Sequence, residues 1–195
     1  MFYALMLSLL FASEYQPQNG DIIFQTSMSS QSKAIQIATE SPYSHVGIVY
    51  LRQGDAYVFE AIKTVQLTPL QQWIDRGKDD QITVMRTKRS LSAKQLTAMK
   101  SAGEQYSGKP YDLAFQWSDD KIYCSELVWK IYEEGANITL TRPKQFGDYN
   151  FTDPKVYPLV QKRWGAEPDL TEKVVAPSDI ASSNKLKIIY TDFKK

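Results

Sequence analysis

SHVGIVYLRQGDAYVFEAI (residues 44–62) decides how this chain folds. Two runs rich in Val, Ile, Tyr and Phe (44–51 and 56–62) flank Arg52, Gln53, Gly54 and Asp55. Branched and aromatic side chains suit a pleated, half-buried surface. A four-residue connection containing glycine is a hairpin signal. Pairing Leu51 with Ala56 sets the register, placing His45 opposite Ile62 and Glu60 opposite Gly47. Side chains alternate between the two faces of a strand. His45 and Glu60 therefore share one face, diagonally adjacent, with α-carbons about 6–8 Å apart. A slip of two residues would set them directly opposite. In either register Glu60 reaches an imidazole nitrogen. Glu60 also shares its face with Val58 and Ile62, and a carboxylate buried there needs a partner. Gly47 leaves open space on that face, which in a strand marks close approach of a ligand or another backbone. The element expected to approach is the helix that begins at Cys124.

His45 is the only histidine in the chain and Cys124 the only cysteine. Cys124 opens YCSELVWKIYEE (123–134), where Leu127, Val128, Ile131 and Tyr132 form an apolar stripe at helical spacing. The stripe places Cys124 in the first turn, facing the core. A thiol attacks a carbonyl as the thiolate, and both a helix N-terminus and a nearby imidazolium lower its pKa. A first-turn N–H has no intrahelical acceptor and is free to help form an oxyanion hole. A buried cysteine acting as a small hydrophobe is the plainer reading from the count alone.

Outward from these two stretches the chain alternates short strands and helices. Residues 20–25 read as a strand entered from a turn, 31–39 as a short helix closed by Pro42, and 65–75 as a strand running into a helical turn. Residues 81–88 read as a strand with Ile82, Val84 and Arg86 on one face. Residues 90–108 form the clearest long helix, capped by Ser90 or Ser92, stopped by Gly108, with Leu96, Met99 and Gly103 along a stripe. The Cys124 helix is expected to end near Gly135. Prolines 143, 154, 158, 168 and 177 break the pattern beyond it, leaving a helix near 153–164, a short one near Ser178 and a last strand at 186–193. Asp21 and Asp112 read as turn residues. The simplest account is one α+β domain, an antiparallel sheet packed against helices.

Of the 195 residues, 43% are hydrophobic and 23% charged, and the net charge is +1. That composition excludes a disordered chain and gives no electrostatic reason to expect nucleic acid. Residues 2–12 are apolar except for Ser8, too short a run for a membrane span of about 20 residues. The run fits the apolar part of a secretory signal, although no Lys or Arg precedes it. Residues 1–15 are therefore expected to be a leader, 16–195 the domain, and the location periplasmic. A single Cys and a single His are too few for a usual zinc site, and no phosphate-binding glycine loop is present. Neither metal nor cofactor is expected.

The stretches GDIIFQTSMSSQSKAIQIATESPYSHVG (20–47), YVFEAI (57–62), GKPYD (108–112), WSDDKIYCSELVWKIY (117–132) and APSDI (176–180) are together specific. In them the chain resembles the circularly permuted NlpC-type papain-like cysteine hydrolases, in particular the YiiX-like bacterial group. The resemblance implies a permuted papain-like fold in which His45 and Glu60 precede the cysteine. It implies Cys124 as nucleophile, His45 as base and Glu60 as the residue that orients it. It further implies amide or ester hydrolysis through an acyl-enzyme. Relatives act on cell-wall peptides and other permuted members on lipids. The expected substrate is a cell-wall peptide amide. The alternatives are a lipid ester or amide, with hydrolysis or acyl transfer, and a non-catalytic binding module on the same fold. Tyr123, Tyr111 and Gly47 are the candidates for lining a substrate pocket.

Overall fold

The computed structural model describes residues 15–151, 153–164 and 169–193. The expected leader lies outside them except for Tyr15, whose hydroxyl donates to Asp21 Oδ2 at 2.8 Å. The chain enters the sheet at β1 (Ile22–Ser27), turns through α1 (Ser32–Thr39), and forms a hairpin of β2 (His45–Arg52) and β3 (Asp55–Ala61). The hairpin has the expected register, Leu51 opposite Ala56 and Ile48 opposite Phe59. Its connection is tighter than the composition suggests. Arg52 pairs with Asp55, so only Gln53 (φ 54°) and Gly54 (φ 95°) turn the chain. Two positive φ angles in succession match the twist of the flanking strands, which is why a two-residue turn wins over a longer loop.

β4 (Val65–Pro69) continues the meander and leads into the single turn α2 (Leu70–Ile74). β5 (Gly77–Thr87) starts four residues earlier than the apolar pattern at 81–88 suggests, because Gly77 already pairs with Ser27. Then follow α3 (Ala93–Tyr106), α4 (Cys124–Ala136), β6 (Lys144–Gln145), a 3-10 turn (Phe146–Asp148), α5 (Tyr157–Trp164), β7 (Lys173–Val174), α6 (Pro177–Ala181) and β8 (Leu186–Thr191). The main sheet has the order β4-β3-β2-β1-β5-β8, with every pairing antiparallel. β6 and β7 pair separately. Two-residue strands between prolines carry no periodic signal, and the sequence pattern does not reveal them.

The two faces of the sheet bury different sets. On one face Ile22, Phe24, Val46, Ile48 and Phe59 meet Leu127, Val128 and Ile131 of α4, with α3 packed behind. Each of these α4 side chains is fully buried, a gain of about 1.5–3 kcal/mol apiece. On the other face Ile23, Val49, Val58, Ile82 and Val84 close over Trp73 of α2. A third cluster joins α1, Tyr123, Phe146, Val156, Val160 and Val174.

α3 is capped by Ser92, whose hydroxyl accepts from Gln95 N at 3.2 Å while Gln95 Oε1 accepts from Ser92 N at 3.0 Å. α4 runs past Gly135 to Ala136 and ends on Asn137 (φ 55°). The helix thus ends beside Gly135 as expected, with Asn137 rather than the glycine in the left-handed position. A Cβ at Gly135 would lie 2.3 Å from the Met99 α-carbon, so this glycine is what lets α3 and α4 meet backbone to backbone.

Candidate active site

Strand register and a helix start bring the three polar residues together. His45 is the first residue of β2, Glu60 the last but one of β3, and Cys124 the first of α4. All three are buried, Glu60 completely. His45 Nε2 and Glu60 Oε2 lie 2.6 Å apart. That contact occupies Nε2 and leaves Nδ1 for the Cys124 thiol, which is close enough to shift the pKa of the ring.

The carboxylate is held from four sides. Glu60 accepts from Thr68 Oγ1 at 2.6 Å, Trp73 Nε1 at 3.0 Å and Arg76 Nη2 at 2.8 Å to each oxygen, in addition to the imidazole. The Trp73 ring lies over the imidazole, centroids 5.7 Å apart and 24° from parallel. Burial alone would raise the Glu60 pKa. The His45, Thr68 and Arg76 contacts overcome it and hold the carboxyl at about 2. Burial likewise disfavours the charged imidazole, but Cys124 and Glu60 together push His45 up to about 9. For Cys124 burial acts to raise the pKa. The His45 hydrogen bond and charge, the Val46 N–H and the Tyr111 hydroxyl outweigh it, so the thiol is lowered. The directions agree on a thiolate–imidazolium pair.

At the first position of α4 the Cys124 N–H has no carbonyl one turn behind it. Glu126, also in the first turn, accepts from Tyr123 N at 3.3 Å through Oε2 and pairs with Lys130 at 2.8 Å through Oε1, fixing the turn that carries the thiol. Asp112 braces the preceding loop, accepting from Ala114 N and Gln116 N at 2.8 and 2.6 Å.

Two cavities flank the pair. One, of about 60 Å³, is lined by Cys124 together with Tyr123, Tyr111, Ala38, Phe146 and Val174 among others. The second, of about 370 Å³, is lined by His45 with Gln25, Ser44, Arg76, Tyr111 and Leu113 among others. Ser44 and Tyr111 border both. Tyr123 is buried, and its hydroxyl accepts from Val175 N at 3.2 Å, so its ring forms a wall and its hydroxyl anchors the segment opposite.

Gly47 lines neither cavity. The neighbour it accommodates is not the Cys124 helix. A Cβ there would lie 2.4 Å from Val58 Cγ1 and 3.5 Å from Glu60 Cβ. Alternation puts Gly47 on the Trp73 face of the sheet while α4 packs on the other, so the missing side chain makes room for β3. Thr68, Trp73 and Arg76 have no counterpart in the sequence reading. Thr68 could have been found, because it sits opposite Val58 on β4 and so diagonally beside Glu60. Trp73 and Arg76 arrive by the path of the chain after β4 and leave no local signal.

Among the described residues no group of three or more His, Cys, Asp or Glu side chains could hold a metal ion. Among them no helix is long and apolar enough to cross a membrane.

The family described as permuted papain-like amidase enzymes, YaeF/YiiX, C92 family, matches residues 16–190. The uncharacterized protein YiiX of Escherichia coli strain K12 is 42% identical over 188 residues, covering 95% of this chain and 93% of its own. The crystal structure of YiiX from Escherichia coli O157:H7, described as a metalloprotein, is 40% identical with a TM-score of 0.89 over 92% of this chain and 100% of that one.

Proposed function

Because this chain belongs to the family of permuted papain-like amidases, we propose that it cleaves an amide bond by way of an acyl group carried on Cys124. The observation that carries this reading is the buried His45–Glu60 pair, 2.6 Å apart, with Cys124 at the start of α4 acting on the same imidazole.

The Cys124 thiolate attacks the amide carbonyl carbon, and the carbonyl π electrons move to oxygen. The Cys124 N–H stabilises that oxyanion, with the Tyr111 hydroxyl, which binds the thiol in the resting site, as the second donor. His45 as imidazolium gives its proton to the amide nitrogen, the C–N bond breaks and the amine leaves. A water molecule then loses a proton to His45 and attacks the thioester, releasing the acid and restoring the thiolate–imidazolium pair. Glu60 keeps the ring in place and balances its charge throughout. Cys124, His45 and Glu60 supply every step, and among the described residues no group of three or more His, Cys, Asp or Glu side chains could hold a metal ion.

A cell-wall peptide amide is the substrate that the sequence resemblance implies, and the apolar run at 2–12 supports export to reach it. The lipid-like alternative has one specific observation in its favour, the apolar lining of the cavity beside Cys124.

Two measurements test the mechanism. Cys124→Ala is expected to abolish turnover, by a factor on the order of 10⁶, with an unchanged circular dichroism spectrum. Retained turnover would sink the mechanism. At pH 6 Cys124 is expected to react with iodoacetamide well ahead of free cysteine, because a lowered thiol pKa keeps thiolate present. Reaction at the free-cysteine rate would favour an inert module.

A further inference from the structure

The two cavities differ in a way that assigns them, if the acyl-enzyme proposed above is taken as the starting point. His45 must reach the leaving nitrogen to protonate it. The leaving group therefore lies on the His45 side, in the cavity that His45 lines. The rest of the acyl group extends from the thioester carbon to the other side, into the cavity that Cys124 lines.

That second cavity offers an acyl chain mainly apolar walls. Its walls include Ile35, Ala38, Phe115, Phe146, Val174 and Pro177, and apart from Cys124 itself no charged residue borders it. Tyr111, which borders both cavities, is given to the oxyanion, and the other polar side chains bond to neighbours. Thr39 Oγ1 donates to Ile35 O at 2.7 Å and Ser125 Oγ to Val175 O at 2.7 Å. The Tyr149 hydroxyl donates to Asp179, and the Tyr123 hydroxyl accepts from Val175 N at 3.2 Å. Ser44 Oγ is shared between Ser32 Oγ at 2.6 Å and Ser27 N at 2.8 Å. A carboxylate or ammonium carried on the acyl group would lose its water and meet no partner there.

The volume is sufficient for such a chain. A water molecule needs about 10–15 Å³, so a cavity of about 60 Å³ has room for at least several apolar atoms. The walls are firm: Phe146 stacks on Phe151 at 3.9 Å, and Phe115 meets Tyr123 edge-on at 5.3 Å.

We propose that the acyl group this enzyme transfers to Cys124 is apolar next to the carbonyl, seated between α1, the start of α4 and the 174–177 segment. A charged acyl group, such as a glutamyl residue with its free carboxylate, does not fit. The shared chemistry of a short fatty acyl chain and an apolar aminoacyl residue satisfies the cavity.

The test uses p-nitrophenyl esters of acetate, hexanoate, N-acetyl-leucine and glutarate, with intact-protein mass spectrometry reading acyl-Cys124 over time. Hexanoyl or N-acetyl-leucyl transfer is expected to run at least tenfold faster than acetyl, and glutaryl transfer slower than acetyl. Preference for hexanoyl assigns a fatty acyl source, and preference for N-acetyl-leucyl a peptide source. Ala38→Phe, and separately Val174→Phe, should pull the hexanoyl-to-acetyl ratio down toward one. Iodoacetamide labelling of Cys124 in each variant checks that its site is intact. A flat series, a glutaryl rate matching hexanoyl, or an unmoved ratio in both labelled variants overturns the proposal. If no ester, acetate included, acylates Cys124 while iodoacetamide still labels it, the acyl-enzyme itself is refuted and the cavity assignment falls with it.

Discussion

Two fully buried carboxylates in this fold are each answered by an arginine, and they do opposite work. Asp21, just before β1, accepts from Arg86 Nε at 2.5 Å and Nη2 at 2.8 Å, from Gln18 N at 2.9 Å and from the Tyr15 hydroxyl at 2.8 Å. Every one of those donors is structural, and the result is a turn bolted to β5. Glu60 accepts from Arg76, Thr68 and Trp73 in the same manner, but one further position is given to a titratable ring. Burying an unpaired carboxylate is costly anywhere. The fold meets that cost twice with the same type of partner, and only at Glu60 does it leave a contact that reaches a nucleophile. A buried acid–arginine pair thus carries no functional message by itself; its remaining partner does.

The comparison breaks most visibly in activity. Glu60→Gln keeps the shape and removes the charge that orients and balances the His45 ring. Turnover on any Cys124-dependent substrate should fall by about 10⁴. Asp21→Asn should leave the specific activity of the folded fraction unchanged. Equal losses in the two variants would show that Glu60 acts only through the fold.

Stability sharpens the same contrast. Asp21→Ala strands a largely covered arginine and two other donors, and should cost about 3–5 kcal/mol in urea unfolding. Arg76→Gln should cost less, because its side chain is 34% exposed and solvent screens the pair. Its effect should appear instead in the site, as a weaker hold on the Glu60 carboxylate. A destabilisation by Arg76→Gln as large as that of Asp21→Ala would contradict this ordering.

The smallest effect is in pH dependence. Folding raises the His45 pKa from 6.5 to about 9, so its contribution to stability is complete below 6.5 and is lost as pH rises through about 9. Folding lowers the Glu60 pKa from 4.5 to about 2, so its contribution is present above 4.5 and is lost as pH falls through about 2. Turnover should decline on the alkaline side near 9, where the imidazolium loses its proton. Asp21→Asn should leave that limb in place, and Glu60→Gln should move it to lower pH. An alkaline limb that does not move in Glu60→Gln would separate the carboxylate from the titration of the ring.

Most of the fold was legible because its elements are locally specified. The alternation in 44–62 determines the register, and the register alone puts Glu60 within reach of His45. The apolar stripe of 124–132 likewise turns Cys124 toward the core. What stayed hidden depends on how distant segments return. Trp73 and Arg76 reach Glu60 only because α2 folds over the face of the sheet away from α4. The walls of the apolar cavity come from α1, the 3-10 turn and β7, and their packing is invisible to periodicity. Gly135 was legible as a glycine but not as a contact, since its neighbour is the backbone of another helix.

The hairpin has one more consequence. His45 and Glu60 lie fifteen residues apart on two strands joined by a two-residue turn. Base and carboxylate thus travel together as one local piece, and the thiol, with the N–H beside it, travels on a helix of its own. Neither half needs the other to come first along the polypeptide. Evolution can cut such a chain in a loop, rejoin its ends elsewhere and recover the same chemistry from a reordered gene, because what is inherited is the meeting of two self-sufficient parts.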